Sequence, residues 1–353
     1  HAALSAVGES GWYVLGARVT EFERALAGAI GVPHAIGCAS GLDGLEIALR
    51  ATGLKPGDRV ITTPVSAFAT TLAIVRAGGV PVFVDVDESG LLDLNVVAAL
   101  LARDSGIRHL LPVHLYGHAL DLRQLERLKR EHQLWVIEDA AQALGARSYV
   151  SPVGSVGQIS ATSFYPTKNL GALGDAGAVL TTDPALAARA RELRDYGQTA
   201  KNRHDVIGMN SRLDELHAAI LSRAMLPRWA AWNARRRVIA DRYLRELQHT
   251  RVTPLPVPAG SESVWHLFPV RVPPEQRSSL MAHLEAHGIQ SGVHYPTPIH
   301  EQRALASIPF VVHGTLTRAR ALCQTELSLP VHPYMTDAQV SSVIAAVNAW
   351  RPT

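Results

Sequence analysis

Three features of the 353-residue sequence predict an α/β protein, with a large, mainly parallel sheet covered on both faces and a smaller α+β domain behind it. From about residue 34 to 225, short apolar runs alternate with stretches of helical periodicity, the pattern of repeated strand–helix units. After Ser211 that alternation gives way to a long helical stretch, and a proline-rich connector, Val252 to Gly260, separates it from further mixed elements. Finally, a β-prone run, Thr162 to Tyr165, breaks at Pro166 and enters a loop containing Gly171 and Gly174. Strand-to-loop junctions of this kind are where α/β proteins place chemistry.

The elements follow in order. His34 to Cys38 reads as a strand, and Gly41 to Ala51 as a helix burying Leu42, Leu45, Ile47, Ala48 and Leu49. Arg59 to Thr63, Val80 to Asp85, Arg108 to Val113 and Leu134 to Asp139 read as strands, with helices expected over Ala67 to Ala77 and Leu122 to His132. The helical stretch from Leu213 to about Leu247 is expected to kink or break at Pro227. Beyond the connector, Val264 to Val272 and Gly292 to Tyr295 read as strands and Arg277 to His287 as a helix. A closing helix runs from Thr336 to Trp350, with Thr336 as N-cap and Asp337 in the first turn.

Composition narrows the function classes. An apolar fraction of 47% with 18% charged residues belongs to a globular chain long enough for more than one domain. The 34 lysines and arginines are scattered and the formal charge is +3, too weak and dispersed a balance for nucleic acid. That balance suits attraction of a phosphorylated or nucleotide-linked substrate, and an ordinary solvated surface fits it equally well. Cys38 and Cys323 lie far apart in apolar surroundings, without metal-ligand or disulfide-framework spacing. Of the 16 histidines, His109, His114 and His118 come nearest to a cluster, and no metal site is expected there. With no signal peptide and no apolar run of membrane-spanning length, a cytoplasmic protein without membrane contact is expected.

Four pieces carry chemistry. Lys168 follows the Pro166 break, and Asp139 ends an apolar strand run three residues before Gln142. A lysine able to form a Schiff base and an acid able to hold a pyridine nitrogen protonated together suggest pyridoxal 5′-phosphate. A solvated loop lysine and a strand-end acid capping the next helix are the competing readings. Glu138 is expected on the opposite face of its strand from Asp139. The turn Ala39-Ser-Gly-Leu-Asp43 opens a helix, so the amides of Gly41 and Leu42 offer an anion site for a cofactor phosphate, to which Ser163 can add a hydroxyl. Phe68, just after the strand that ends near Thr63, is placed to stack on a pyridine ring or to fill the core. No GxGxxG follows the first strand, which argues against a dinucleotide oxidoreductase.

Together these pieces resemble the sugar aminotransferases of the DegT/DnrJ/EryC1/StrS family, over nearly the whole chain. The resemblance is carried by Ser10 to Gly16, Ala39 to Leu45, Gly57 to Val60, Ile137 to Gln142, Ser163 to Gly171, Gly208 to Glu215 and His294 to Pro296. It implies the aspartate-aminotransferase fold (fold type I): a large domain with a seven-stranded sheet over residues 1–225 and a small α+β domain over 226–353. It implies that Lys168 carries the Schiff base, Asp139 meets the pyridine nitrogen, and Gln142 the phenolic oxygen. Gly41, Leu42 and Ser163 would hold the phosphate and Phe68 cover the ring. Asn210 matches an asparagine that reaches the partner's cofactor phosphate, so a homodimer with shared sites is implied. The implied reaction moves an amino group from L-glutamate to a nucleotide-linked keto-sugar. The Gly41 to Leu45 turn and His294-Tyr-Pro resemble members acting on 3-keto-sugars, here a dTDP-3-keto-6-deoxyhexose. A 4-keto-sugar, or a UDP- or GDP-sugar, is the alternative within the class, and a non-catalytic regulatory protein on the same fold is the alternative outside it. Trp12, Tyr13, His294 and Tyr295 are candidate sugar-nucleotide contacts, with buried packing as the competing reading of each.

Overall fold

The computed structural model describes residues 1–352. Seven strands of the large sheet follow in chain order: β1 (His34–Cys38), β2 (Arg59–Thr62), β3 (Val80–Phe83), β4 (His109–Leu110), β5 (Trp135–Asp139), β6 (Ile159–Ser163) and β7 (Gly177–Thr181). An eighth, β8 (Val311–Val312), arrives from far along the chain and pairs parallel to β3. The order across the sheet is β1-β7-β6-β5-β4-β2-β3-β8, and only β7 runs against its neighbours. The sheet thus has eight strands where seven were expected. The extra strand is two residues long, too short for its periodicity to register in sequence.

Local chemistry sets the strand ends. β4 is shorter than the apolar run around it, because Pro112 has no N–H to add to a ladder. Val113 rejoins the sheet through a single bridge to Asp139. The strand that leads to Lys168, β6, stops at Ser163, ahead of the Pro166 break. Helices cover both faces, and side chains such as Ile36, Ile47, Ile61 and Val136 are fully buried between them and the sheet. The helix Gly41–Ala51 starts at Ser40, whose hydroxyl accepts from the Asp43 amide at 3.1 Å. Leu42, expected inside, is only half-buried, because it sits in the open first turn.

The predicted long helix is interrupted, though not at Pro227. Glu215–Ile220 leads into a π-helical turn, Leu221–Met225, and Leu226–Glu246 continues with Pro227 in its first turn. The wider turn accommodates a proline that cannot donate to the carbonyl four residues back. This helix leads to a three-stranded sheet, Thr253–Pro254, Phe268–Arg271 and Glu326–Leu329, packed with Arg277–Ala286 and Asp337–Ala349 around Tyr243, Phe268, Leu280 and Trp350. Thr336 caps the last helix in a full capping box with Gln339.

Two expected strands differ. The run from Val264 is ordered as a strand only over Phe268–Arg271, because Trp265 adopts a left-handed φ of 47°. Gly292 to Tyr295 makes only one bridge, Gly292 to Ser328. There the His294 amide donates to the Glu326 carboxylate at 2.6 Å and not to a neighbouring strand, so the ladder ends and the chain turns towards β5. Among the described residues no helix is long and apolar enough to cross a membrane, and no group of three or more His, Cys, Asp or Glu could hold a metal ion.

The end of β5 shows how the sheet separates two acids. Glu138, on one face, is fully buried. Its carboxylate accepts from the amides of Gly154 (2.9 Å), Val156 (2.8 Å) and Gly157 (2.6 Å) and pairs with His114 Nε2 at 2.9 Å. Burial alone would raise its pKa; the His114 contact and the amides outweigh it and hold the carboxyl below its usual range. Replacing Glu138 by alanine strands three buried amides and an imidazole, so the Glu138→Ala variant is expected to lose about 3–5 kcal/mol of stability in urea unfolding. A loss under about 1 kcal/mol would show that water replaces the carboxylate freely.

Candidate active site

The carboxyl ends of β5 and β6, the turn after β1 and the helix from Phe68 converge at one edge of the large sheet, where the small domain covers them. Asp139, the last residue of β5, is buried there. Thr70 Oγ1 donates to its Oδ2 at 2.8 Å and the Ala141 amide to its Oδ1 at 3.1 Å. Thr70 belongs to the helix Phe68–Arg76, and its own hydroxyl is held by Ser66 at 2.8 Å. Burial pushes the Asp139 carboxyl up, while these donors and the Lys168 charge pull it back. A buried carboxylate with two hydrogen bonds retains capacity for a cationic N–H partner.

Lys168 is half-buried in the turn after β6, its amide donating to the Tyr165 carbonyl at 2.8 Å. Desolvation brings its amine down from 10.5 to about 8, with the Asp139 carboxylate acting in the opposite sense. The next residue, Asn169, is buried and ties the turn to the small domain by donating to Asn233 Oδ1 and to the Val264 carbonyl, each at 2.9 Å. Lys168 lines a cleft of about 580 Å³ between the domains, together with Trp232, Arg236, His266, His294 and Tyr334.

Gln142 also meets the small domain. Its Oε1 accepts from the Tyr116 amide at 2.8 Å and its Nε2 donates to the Tyr295 hydroxyl at 3.2 Å. Burial lifts the Tyr295 phenol to about 12, and Asp139 adds to the effect. The Gln142 side chain was expected to meet a cofactor oxygen; in this structure it meets a phenol. At the turn after β1, a Cβ on Gly41 would lie 2.7 Å from the Ser163 Cβ, so only glycine lets β6 pass this close to the helix start. The amides of Gly41 and Leu42 make no hydrogen bond among the described residues, which leaves a helix N-terminus open to an anion. Phe68 is half-buried against the main core, so its stacking and core-filling roles are compatible.

The structure therefore brings together Lys168, Asp139, Gln142, His294 and Tyr295, with Gly41 beside Ser163 at the same edge. Trp12 and Tyr13, 62% and 51% exposed, lie on the surface of the chain, and Asn210 is exposed beside Asp195. Sequence reading did not single out Thr70, Tyr116, Asn169, Arg236, Glu326 or Ser328. Thr70 and Asn169 had a local signal, Thr70 two residues after Phe68 in the same helical turn and Asn169 directly after Lys168; the others reach the site only through the fold.

The residues present fit pyridoxal phosphate: an amine, a buried acid with spare capacity, and a glycine cradle at a helix N-terminus. The architecture is that of the fold-type-I pyridoxal-phosphate enzymes, and the chain is an aminotransferase of that class. It belongs to the DegT/DnrJ/EryC1/StrS aminotransferase family, whose model matches residues 1–348. It is 44% identical over 352 residues to the dTDP-3-amino-3,4,6-trideoxy-alpha-D-glucose transaminase of Streptomyces venezuelae, covering 99% of this chain and 91% of that protein. The solved structure of S. venezuelae DesV in complex with a ketimine intermediate superimposes with a TM-score of 0.93 at 42% identity, over 99% of this chain and 93% of that one. NtdA from Bacillus subtilis, solved with bound PMP, gives a TM-score of 0.88 at 30% identity, over 98% of this chain and 79% of that one.

An amine titrating near 8 is a far better nucleophile at neutral pH than one near 10.5. In cofactor-free protein at pH about 7.5, Lys168 is expected to be acylated at least about tenfold faster than Lys55, Lys129 or Lys201, read by peptide mass spectrometry. Equal rates at all four sites would contradict the desolvated setting.

Proposed function

We propose that this chain transfers the amino group of L-glutamate to the keto carbon of a nucleotide-linked sugar, a dTDP-3-keto-6-deoxyhexose, with Lys168 as its catalytic residue. The observation that carries this reading is the amine of Lys168, desolvated to about 8 and coupled to the buried Asp139. The dTDP-3-amino-sugar named for the S. venezuelae relative supports the sugar class and the 3-position.

Pyridoxal phosphate, when bound, supplies an electron sink for the pair released as a substrate carbon loses its proton. Lys168 would hold it covalently and then, as a free amine, take that proton from one carbon and return it to another. A pKa near neutrality suits both directions of transfer. Asp139, kept in place by Thr70 and Ala141, would hold the ring nitrogen's proton as an ion pair inside the protein. Gly41, Leu42 and Ser163 would take the phosphate, Phe68 would cover the ring, and Gln142, already fixed by Tyr116, would reach the phenolic oxygen. His294 and Tyr295 would contact the sugar from the small-domain side, with Trp12 and Tyr13 as further sugar-nucleotide contacts. Asn210, exposed on the protomer, would act across a homodimer interface on the partner's phosphate, and the protein would work in the cytoplasm.

The deciding experiment incubates pure protein and glutamate with dTDP-, UDP- and GDP-linked 3-keto- and 4-keto-sugars and identifies products by mass spectrometry. An amino sugar from the dTDP-3-keto substrate is the expected product; turnover confined to a 4-keto or a UDP- or GDP-linked substrate refutes the sugar assignment. Lys168→Ala is expected to cut turnover by at least about 10³-fold and to abolish covalent cofactor attachment, while Asp139→Asn loses about 10²-fold or more. A Lys168→Ala variant that keeps wild-type turnover would remove the residue from the mechanism.

A further inference from the structure

Beneath the cleft, Glu326 and Ser328 grip His294 from two sides. Glu326 is fully buried in the small sheet. Its Oε2 accepts from the His294 amide at 2.6 Å, and its Oε1 lies 2.5 Å from Ser328 Oγ. Ser328 Oγ in turn lies 2.9 Å from His294 Nδ1. The Tyr116 hydroxyl donates to the His294 carbonyl at 2.8 Å, so the residue is fixed at its amide, its carbonyl and its ring. Among the described residues Nε2 has no hydrogen-bond partner, and His294 and Lys168 line the same cleft.

Hydrogen-bond logic makes this chain directional. The His294 backbone N–H can only donate, so the Glu326 oxygen facing it must accept. With Glu326 ionised, its other oxygen accepts from Ser328, whose proton is then committed. Ser328 can therefore only accept from the ring, which places the proton of neutral His294 on Nδ1 and leaves Nε2 bare.

We propose that Glu326, acting through Ser328, is a positioning residue that sets the tautomer of His294 and makes its Nε2 a hydrogen-bond acceptor towards the Lys168 cleft. Such an acceptor reads a hydroxyl, and in the keto-sugar half-reaction that hydroxyl is one on the sugar; this last step rests on the function proposed above. Protonating Glu326 on Oε1 reverses the chain: the carboxyl donates to Ser328, Ser328 donates to Nδ1, and Nε2 carries the proton. Burial raises the Glu326 carboxyl to about 7 against the pull of Ser328, the His294 amide and Arg277. Other titratable groups facing the pair are Tyr116, Tyr295 and Cys323, all raised by burial, Tyr295 and Cys323 to about 12, and His266, which burial holds well below its usual range, so none of the four changes charge near neutrality. Burial and then the Lys168 charge lower the His294 ring, which keeps it neutral.

Glu326→Gln tests the relay directly. The fixed His294 amide selects the glutamine carbonyl, its NH₂ turns to Ser328, and the tautomer inverts at every pH. Nitrogen-15 NMR of histidine-labelled protein, with His294 identified against a His294→Asn spectrum, reads which ring nitrogen is protonated. In wild type at pH about 8.5, where a carboxyl titrating near 7 is ionised, Nδ1 is expected to carry the proton; in Glu326→Gln, Nε2. With the tautomer inverted, KM for the keto-sugar is expected to rise at least about tenfold. Wild-type Nε2 protonated at that pH, or a Glu326→Gln spectrum matching wild type, overturns the relay. If Glu326→Gln does not fold, the wild-type titration decides: exchange of tautomers with a midpoint near 7 supports the relay, and one tautomer throughout overturns it. The spectra are taken without cofactor or substrate. An inverted tautomer with an unchanged KM therefore supports the relay and refutes the sugar contact of His294.

Discussion

The alternation of β5 is the constraint on which the site depends. Successive strand residues face opposite sides of a sheet, so two adjacent acids, Glu138 and Asp139, enter different environments. Glu138 is spent on structure: three backbone amides and His114 close around it and fasten the Gly154 to Gly157 loop beneath the strand. Asp139, buried within reach of the Lys168 charge, has fewer bonds to the protein, and its remaining capacity is what a cationic ring nitrogen needs. A shift of register by one residue would exchange the two, turning Asp139 away from the site and Glu138 away from the loop it fastens.

Around that acid the site is built from both domains. Lys168 comes from the turn after β6, yet Asn169, the residue beside it, is anchored to Asn233 and Val264 in the second half of the chain. Gln142 is fixed by Tyr116 on one side and meets Tyr295 on the other. The desolvation that brings Lys168 towards neutrality is therefore a product of how the small domain sits over the sheet edge. Relative motion of the domains would rehydrate the amine and return it towards its ordinary value.

Much of this was legible in one dimension. The parallel sheet follows from apolar runs alternating with helical periods, and the Thr336 cap from its own local pattern. The Gly41 turn is legible because a helix start after a strand needs a residue without Cβ where another strand passes, here at 2.7 Å. Other features had no such signal. β8 is two valines in a loop, Trp265 takes a left-handed φ that its residue type does not announce, and the Gly292 to Tyr295 run leaves its sheet because a side-chain carboxylate takes its amide. Each depends on a partner distant in sequence.

The sequence by itself determined the class of protein, because an amine, a strand-end acid and a glycine turn at family-specific positions specify a cofactor chemistry whatever surrounds them. Tertiary structure decided the properties those residues take on. The proton affinity of Lys168, the bonds that hold Asp139 and the hold of Glu326 on His294 are set by desolvation and hydrogen bonding between segments 29, 69 and 32 residues apart. Both effects depend on distance and burial, which are properties of the folded chain and not of residue order.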